Sequence, residues 1–166
     1  MKRKKKPSKP IDPKSVFQLA CKFAATEQHV RSTNNPRAEF MASPSMVLSA
    51  FAIELFLKCL LLLEGKEFDR IHSLNVLFRR LSHNQKRRIE EVWEKEARSK
   101  VDELRRKFGF PHPSDLPNAL GTCARAFEHM RYGYEDPDRQ IFYLGDLPTI
   151  LWRNILGIRP EWANEA

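Results

Sequence analysis

The sequence lacks most of the residue patterns on which enzymes and disulfide-stabilised domains are built. Its three cysteines, Cys21, Cys59 and Cys123, are odd in number and show no CxxC spacing. Each lies in an apolar helical pattern, which favours buried, reduced thiols over a disulfide framework or a zinc site. There is no glycine-rich phosphate loop, no GxSxG nucleophile elbow and no cysteine–histidine nucleophile pair. We therefore expect neither a metal nor a cofactor.

Targeting signals and strand patterns are also absent. The N-terminal charges are not followed by an apolar segment of signal-peptide type, and no lipidation motif is present, so we expect a cytoplasmic protein. No alternating pattern of strand length occurs in the 166 residues, of which 42% are apolar. The sequence therefore predicts one all-α domain with a full-sized core.

The net charge of +8 is concentrated at the N-terminus. The segment MKRKKKPSKP, residues 1–10, contributes six of these charges, which leaves +2 for the remainder. It cannot bury apolar surface, so we expect a disordered basic arm followed by a single domain over residues 11–166. The arm is a candidate for sequence-independent contact with nucleic-acid phosphates, although a solvated tail that aids solubility is an equal alternative. Its cations are Lys2, Arg3, Lys4, Lys5, Lys6 and Lys9.

The longest apolar run, SPSMVLSAFAIELFLKCLLLLEG, predicts the central helix of the fold. Ser43 is a candidate N-cap, Pro44 suits the first turn, and Gly65 can take the left-handed conformation that ends a helix. A membrane span would place the charges of Glu54 and Lys58 near the bilayer centre at a cost of several kcal/mol each. We therefore expect this helix to be buried in protein.

Glu54 and Lys58 share one stripe of the central helix with apolar side chains, so they must be paired. They could form an i,i+4 pair with the lysine stem snorkelling to solvent. Alternatively, they belong to a partly buried polar cluster that recruits a residue from another helix. Arg131 lies in the apolar sector of a later helix, and we expect it to form a core salt bridge with Glu54. Lys58 and Glu135 are expected at the edge of this buried polar cluster, to which we also assign His72.

Apolar residues at helical spacing predict further helices around the central one, so the expected architecture is a bundle of five or six helices. Asp12 and Asp146 are candidate N-caps for the first and last of these helices. Leu19 is expected to widen the buried side of the first. The predicted helices cover about residues 13–30, 72–81, 84–107, 115–134 and 146–158.

Three segments occur in an order that resembles a known family: AIELFLKCLLLLEG at 52–65, His72 and Leu74 as a His-x-Leu, and AFEHMRYGYE at 126–135. The family is HEPN, the higher eukaryotes and prokaryotes nucleotide-binding domain, and the resemblance covers about residues 15–157. It implies an antiparallel four-helix core with one or two additional helices and frequent homodimerisation. It also implies links to RNA cleavage, or to partner nucleotidyltransferases and antitoxins, in toxin–antitoxin and defence systems.

Active members of that family resemble metal-independent ribonucleases with an Arg-x(4–6)-His motif, in which histidine moves the 2′-hydroxyl proton and arginine holds the phosphate. Here the matching helix offers Arg125 and His129, with three intervening residues. They share a face with Tyr132, which an ordinary solvated helix surface explains equally well. Arg106 and His112 have the required separation, but the segment GFPHP, which contains His112, cannot hold a helical relation.

His72 is explained more simply as a residue at a helix start, bonded to backbone N–H groups or to a core side chain, than as a catalytic group. The leading hypothesis is a HEPN-like domain that binds RNA, a nucleotide or a protein partner without strong catalysis. One alternative is a metal-independent endoribonuclease of toxin type that uses Arg125 and His129. Another is a purely structural dimerisation module, since a fold does not fix a function.

Overall fold

The computed structural model describes residues 10–32, 42–68, 70–108, 115–123, 144 and 146–165. All regular structure in these residues is helical, so the predicted all-α bundle is confirmed. A 3₁₀ helix over Pro160–Glu165 follows the last α-helix. The α-helices are α1 (Pro13–Ser32), α2 (Ala42–Leu63), α3 (Leu74–Arg80), α4 (His83–Glu96), α5 (Arg98–Phe108), α6 (Leu116–Thr122) and α7 (Leu147–Ile158).

Helices α1 and α2 form an antiparallel pair. The Sγ atom of Cys59, near the end of α2, donates to the carbonyl of Pro13 at the start of α1 over 3.4 Å. Further along, the rings of Phe23 and Phe51 stack with centroids 5.4 Å apart. Residues later in α1 thus contact residues earlier in α2, as they do when two helices pack antiparallel.

Asp12 caps α1 as predicted. Its carboxylate accepts hydrogen bonds from the backbone N–H groups of Lys14 at 3.2 Å and Ser15 at 3.0 Å. These are two of the N–H groups that a helix start leaves without an intrahelical partner. The Ser15 hydroxyl also donates to this carboxylate, at 2.6 Å, and that bond together with the backbone bonds holds the pKa of the Asp12 carboxyl below its ordinary value.

Gly65 ends α2 as predicted, with a φ of 67°. Its N–H bonds to the carbonyl of Leu62 and the N–H of Lys66 bonds to the carbonyl of Leu61, each at 2.9 Å. This pair of bonds is a Schellman motif, which needs a left-handed residue that glycine adopts without strain. The predicted N-cap Ser43 is wrong, because α2 already begins at Ala42.

Helix α2 is the core helix of the bundle and packs against α1, α3 and α7. By length and composition alone, its segment Pro44–Leu63 could cross a membrane, but more than half of that segment is buried inside the protein. The surrounding helices cover it because its apolar side chains occur on nearly every side. Its fully buried side chains include Ile53, Phe56, Leu57, Leu60 and Leu61.

Three predicted helices differ from the structure in their bounds. The helix expected from 72 begins at Leu74, so His72 precedes it. The single helix expected over 84–107 is two helices, α4 and α5, divided at the buried Ala97. The helix expected over 115–134 ends at Thr122, after Gly121 in its last turn, a residue that destabilises helix interiors. Positions 124–134 lie outside the described residues.

The C-terminal elements close the bundle over α1, α2 and α4. Asp146 occupies the N-cap position of α7, but its side chain does not cap the helix as predicted. It is instead 3.0 Å from the amino group of Lys100, an ion pair that competes for the carboxylate. Trp162 of the 3₁₀ helix is buried, and the centroid of its ring lies 5.3 Å from the centroid of the Phe17 ring.

Candidate functional site: a polar cluster beside the core helix

Glu54 and Lys58 lie one turn apart on α2 and bind each other. The Nζ atom of Lys58 donates to Oε1 of Glu54 over 2.6 Å, and the two side chains are only 11% and 7% exposed. The same ammonium group lies 5.2 Å from the centroid of the Phe68 ring, within the range of a cation–π contact. The buried lysine is therefore held by a carboxylate and by an aromatic face.

His72 completes this arrangement, and we call Glu54, Lys58 and His72 the polar cluster. The Nδ1 atom of His72 lies 3.1 Å from the Oε1 atom of Glu54 that Lys58 also binds. The imidazole is 53% exposed, so the cluster extends from the core to solvent. The intrahelical pair therefore forms, but Lys58 stays buried instead of reaching solvent, and the carboxylate also binds a second residue.

The sequence suggested that the recruited residue would come from another helix. Within the described part of the chain it comes instead from the loop between α2 and α3. A loop residue can reach Glu54 because the Schellman turn at Gly65 folds the chain back beside α2. The periodicity of the helices does not indicate the direction in which the chain turns after Gly65. The position of His72 before the helix that begins at Leu74 did identify it as a candidate partner for a core side chain.

The other predicted site residues lie outside the described residues. This applies to Arg125 and His129, to Arg131 and Glu135, and to Tyr132. The expected salt bridge between Glu54 and Arg131 therefore stays a prediction. The basic arm also lies outside the described residues, with its cations Lys2, Arg3, Lys4, Lys5, Lys6 and Lys9.

A second polar arrangement, which the sequence did not reveal, ties the end of α2 to the start of α4. Both carboxylate oxygens of Glu64 accept from the backbone N–H of Ser82, at 3.0 and 3.1 Å. Lys66 binds this carboxylate at 2.7 Å and the carbonyl of Arg80 at 2.8 Å. We call Glu64, Lys66 and Ser82 the clasp.

The clasp is strong enough to change the acidity of Glu64. Burial raises the pKa of this carboxyl, but the hydrogen bonds from Lys66 and Ser82 outweigh burial and hold the pKa below its ordinary value. Glu64 is therefore ionised at neutral pH. The clasp fixes the α3–α4 connection relative to the end of α2.

A cleft of about 360 Å³ lies between α1, α2 and α7, and contains none of the predicted site residues. Cys21 is the one titratable residue among those that line it, and burial raises the pKa of that thiol to about 11. The thiol is therefore neutral and unreactive at physiological pH. The lining residues are Cys21, Ala24, Ala25, Gln28, Phe56, Pro148, Thr149 and Trp152.

Metal ligands are not grouped in the described part of the chain, where no three His, Cys, Asp or Glu residues are placed to hold an ion. Neither a curated protein nor a solved structure matches the chain. The HEPN domain family, whose functions are broadly nucleotide- or RNA-related, matches residues 41–132. That match spans more than half of the chain and contains the whole polar cluster. The chain therefore belongs to the HEPN domain family.

Proposed function

We propose that this chain is a HEPN domain that binds RNA or a nucleotide without strong catalysis of its own. The proposal rests on the position of His72 within the matched region. Its imidazole is more than half exposed, yet one ring nitrogen is bonded to a carboxylate that is almost fully buried. An exposed ring held in this way is positioned before any ligand arrives, which lowers the entropic cost of binding.

The chemistry of His72 suits such a ligand. The Nδ1–H of its imidazole donates to Glu54, and the exposed face of the ring can stack on a base. Glu54 and Lys58 compensate each other's charge inside the protein, so their part is to position the ring. The exposed Arg70 lies two residues before His72 and adds a positive charge to the same loop. We therefore place the ligand on the surface formed by the loop before α3.

Ribonuclease activity is the second candidate. It would use Arg125 and His129, which lie within the family match at a spacing one residue shorter than the motif of active members. A pair at i,i+4 still shares a helix face, so the chemistry is sterically conceivable. We rank it second because the two residues depart from the spacing on which the activity of the family depends.

The biological setting follows from the family resemblance and is part of the proposal. In this setting the protein is a cytoplasmic homodimer that acts in a toxin–antitoxin or defence system. Its partner there is an antitoxin or a nucleotidyltransferase. A purely structural dimerisation module is the corresponding alternative. Sedimentation at micromolar concentration tests the dimer, and a monomer there would contradict it.

Fluorescence anisotropy with a labelled single-stranded RNA oligonucleotide tests binding. We expect saturable binding by the full chain and about fivefold weaker binding by His72→Ala, which corresponds to the loss of one stacking contact of about 1 kcal/mol. The matched control is His29→Ala, since His29 is an exposed histidine on α1. The absence of saturable binding by the unaltered chain would overturn the proposal.

Incubation with total RNA in EDTA separates the binder from the enzyme. The proposed binder leaves the RNA intact and retains it in a gel in a salt-sensitive manner. Cleavage by the unaltered chain that is lost in His129→Ala would instead establish the metal-independent endoribonuclease. A parallel reaction with His72→Ala shows which histidine any cleavage depends on.

A further inference from the structure

We propose that the corner between α3 and α4 is the surface on which the folded domain contacts RNA phosphates. The surface consists of Arg79, Arg80, Lys86 and Arg87, and we call it the basic corner. This inference rests on the proposed function and assigns it a surface separate from His72. From the sequence, only the cations of the basic arm were predicted to contact nucleic-acid phosphates.

The folded chain brings these cations together at the junction of two helices. Arg79 and Arg80 form the last turn of α3 and are exposed. After the buried Leu81 the chain turns into α4, and Nζ of Lys86 lies 3.4 Å from the carbonyl oxygen of Arg79. Arg87 follows on the solvent side of α4. One surface thus carries four positive groups from two helices.

Acidic residues do not neutralise this surface. Within the described part of the chain, Arg79, Arg80 and Lys86 bind no carboxylate, and Arg87 binds only Glu91, at 3.0 Å. That pair is 70% and 61% exposed, so water and salt screen it. The nearby Glu64 carboxylate is occupied by the clasp. The ten residues from Arg79 to Arg88, RRLSHNQKRR, contain no Asp or Glu.

The cations of the junction repel one another, although the helix dipole favours Arg79 and Arg80 at the end of α3. Helix α4 has no acidic residue in its first turn, and cations near a helix start are repelled by the helix dipole. A bound polyanion relieves this repulsion, so the free energy that the arrangement costs in the isolated protein contributes to binding.

The basic corner is held rigidly in place. Beneath it the side chains of Leu77, Phe78 and Leu81 are buried in the core. The clasp fixes the backbone of Ser82, and Lys66 binds the carbonyl of Arg80 at 2.8 Å. The cations therefore project from a fixed backbone, which reduces the ordering cost of binding.

The chemistry of the surface favours a phosphate backbone over an acidic protein. The exposed residues of the junction, from Arg79 to Arg88, are all polar, with His83 and Asn84 as additional donors. A protein interface has an apolar or aromatic centre, and the exposed side chains of the junction provide none. Phosphate contacts need only charge and hydrogen-bond donors, and they read no sequence.

The test measures the salt dependence of RNA binding by the full chain. Arg79→Gln with Arg80→Gln removes two candidate phosphate contacts. We expect affinity at physiological salt to fall at least about tenfold, and the slope of log K against log salt to become shallower by about 1.4. Lys22→Gln with Lys95→Gln is the control, because it removes the same charge from exposed positions elsewhere and should change affinity by less than about threefold. Arg79→Lys with Arg80→Lys keeps the charge and should retain most of the affinity.

Each outcome decides between the proposals. RNA binding that is equal in the Arg79→Gln, Arg80→Gln variant and in its control overturns the basic corner but leaves the proposed function standing. Failure of the unaltered chain to bind RNA at all overturns both. Binding to poly-glutamate that depends on Arg79 and Arg80, together with RNA binding that does not, would assign the surface to an acidic protein partner and overturn the inference. Circular dichroism of each variant establishes that it is folded.

Discussion

At the scale of single residues, one carboxylate oxygen organises the centre of this protein. Oε1 of Glu54 binds an ammonium group one turn along its own helix and an imidazole eighteen residues further along the chain. The carboxylate and the ammonium group are each costly to bury alone, but together they satisfy one another. We therefore expect the cluster to behave as a unit when one member is removed.

A double-mutant cycle on Glu54 and Lys58 tests this coupling. Glu54→Ala leaves the buried ammonium group of Lys58 without its carboxylate, so the free energy of unfolding should fall by about 3–5 kcal/mol. Lys58→Met should cost less, and the double variant should be at least about 1 kcal/mol more stable than the sum of the two losses predicts. Urea denaturation of the four proteins measures these values.

The control for this cycle is the exposed pair Arg87 and Glu91, which has the same i,i+4 spacing on α4. Its coupling should stay below about 0.5 kcal/mol, because water screens both charges. Additive losses at Glu54 and Lys58 would show that burial does not strengthen their interaction. The same cycle with Arg131→Ala tests whether that arginine also binds Glu54.

The thiols provide a second prediction at this scale. Burial raises the pKa of Cys59 to about 12 and that of Cys21 to about 11, and Cys123 is buried. At pH 8 only about one Cys21 side chain in a thousand is ionised. We expect no rapid reaction of the native chain with DTNB, and reaction of all three thiols in guanidinium chloride. A rapid reaction of one thiol per native chain would contradict this, and Cys21→Ser would show whether Cys21 is responsible.

At the scale of elements, the clasp decides how α2 is followed by α3 and α4. α3 is only seven residues long, too short to be stable as an isolated helix. Its buried side chains hold it in place, together with the hydrogen bonds that the backbone N–H of Ser82 donates to the Glu64 carboxylate. Because the basic corner stands on this junction, the clasp also determines where those cations point.

The clasp predicts a pH dependence of stability. The folded-state pKa of Glu64 is lowered, so its contribution is complete above the unfolded-state value near 4.5 and is lost as the pH falls through the folded-state pKa. Glu64→Gln should therefore reduce the free energy of unfolding by about 1–2 kcal/mol at pH 7. The difference from the unaltered chain should shrink towards pH 3.

Urea denaturation at several pH values measures this dependence, and Glu91→Gln is the control. Glu91 is exposed on α4, so its removal should change stability by less than about 0.5 kcal/mol at any pH. A Glu64→Gln difference that is equally large at pH 7 and pH 3 would show that the carboxylate charge does not stabilise the clasp.

At the scale of the whole molecule, the described helices form one bundle around α2, and the predicted basic arm precedes it. The first described cap is Asp12, and the first fully buried side chain of α1 is Phe17. The contacts that stabilise α1 thus begin after the arm. We therefore assign stability to the bundle and expect the arm to affect only the binding of polyanions.

Removal of residues 1–10 tests this division. We expect the melting temperature to change by less than about 2 °C, because the deleted segment has no apolar side chains suited to a core beyond Met1. RNA affinity should fall and its salt dependence should become shallower, since six cations are lost. Calorimetry and anisotropy measure the two effects. A drop of many degrees would show that the arm is docked on the bundle.

The sequence by itself determined the features that depend only on residues close together in the chain. The i, i+3, i+4, i+7 spacing of Leu74, Leu77, Phe78 and Leu81 identified a helix with one buried face, and all four side chains are buried. The Asp12 cap and the left-handed Gly65 were likewise predictable, because each depends on backbone groups within a few residues. The pairing of Glu54 with Lys58 belongs to the same class.

Only the tertiary structure decided features that join distant segments. Leu19 was expected on the buried side of α1 but is 46% exposed, because no described element covers that flank. Asp146 binds Lys100 rather than capping α7, and Glu64 reaches the N–H of Ser82. His72 meets Glu54 because a turn brings its loop back against α2. Helical periodicity reports which face of a helix is apolar, but not which other segment that face will meet.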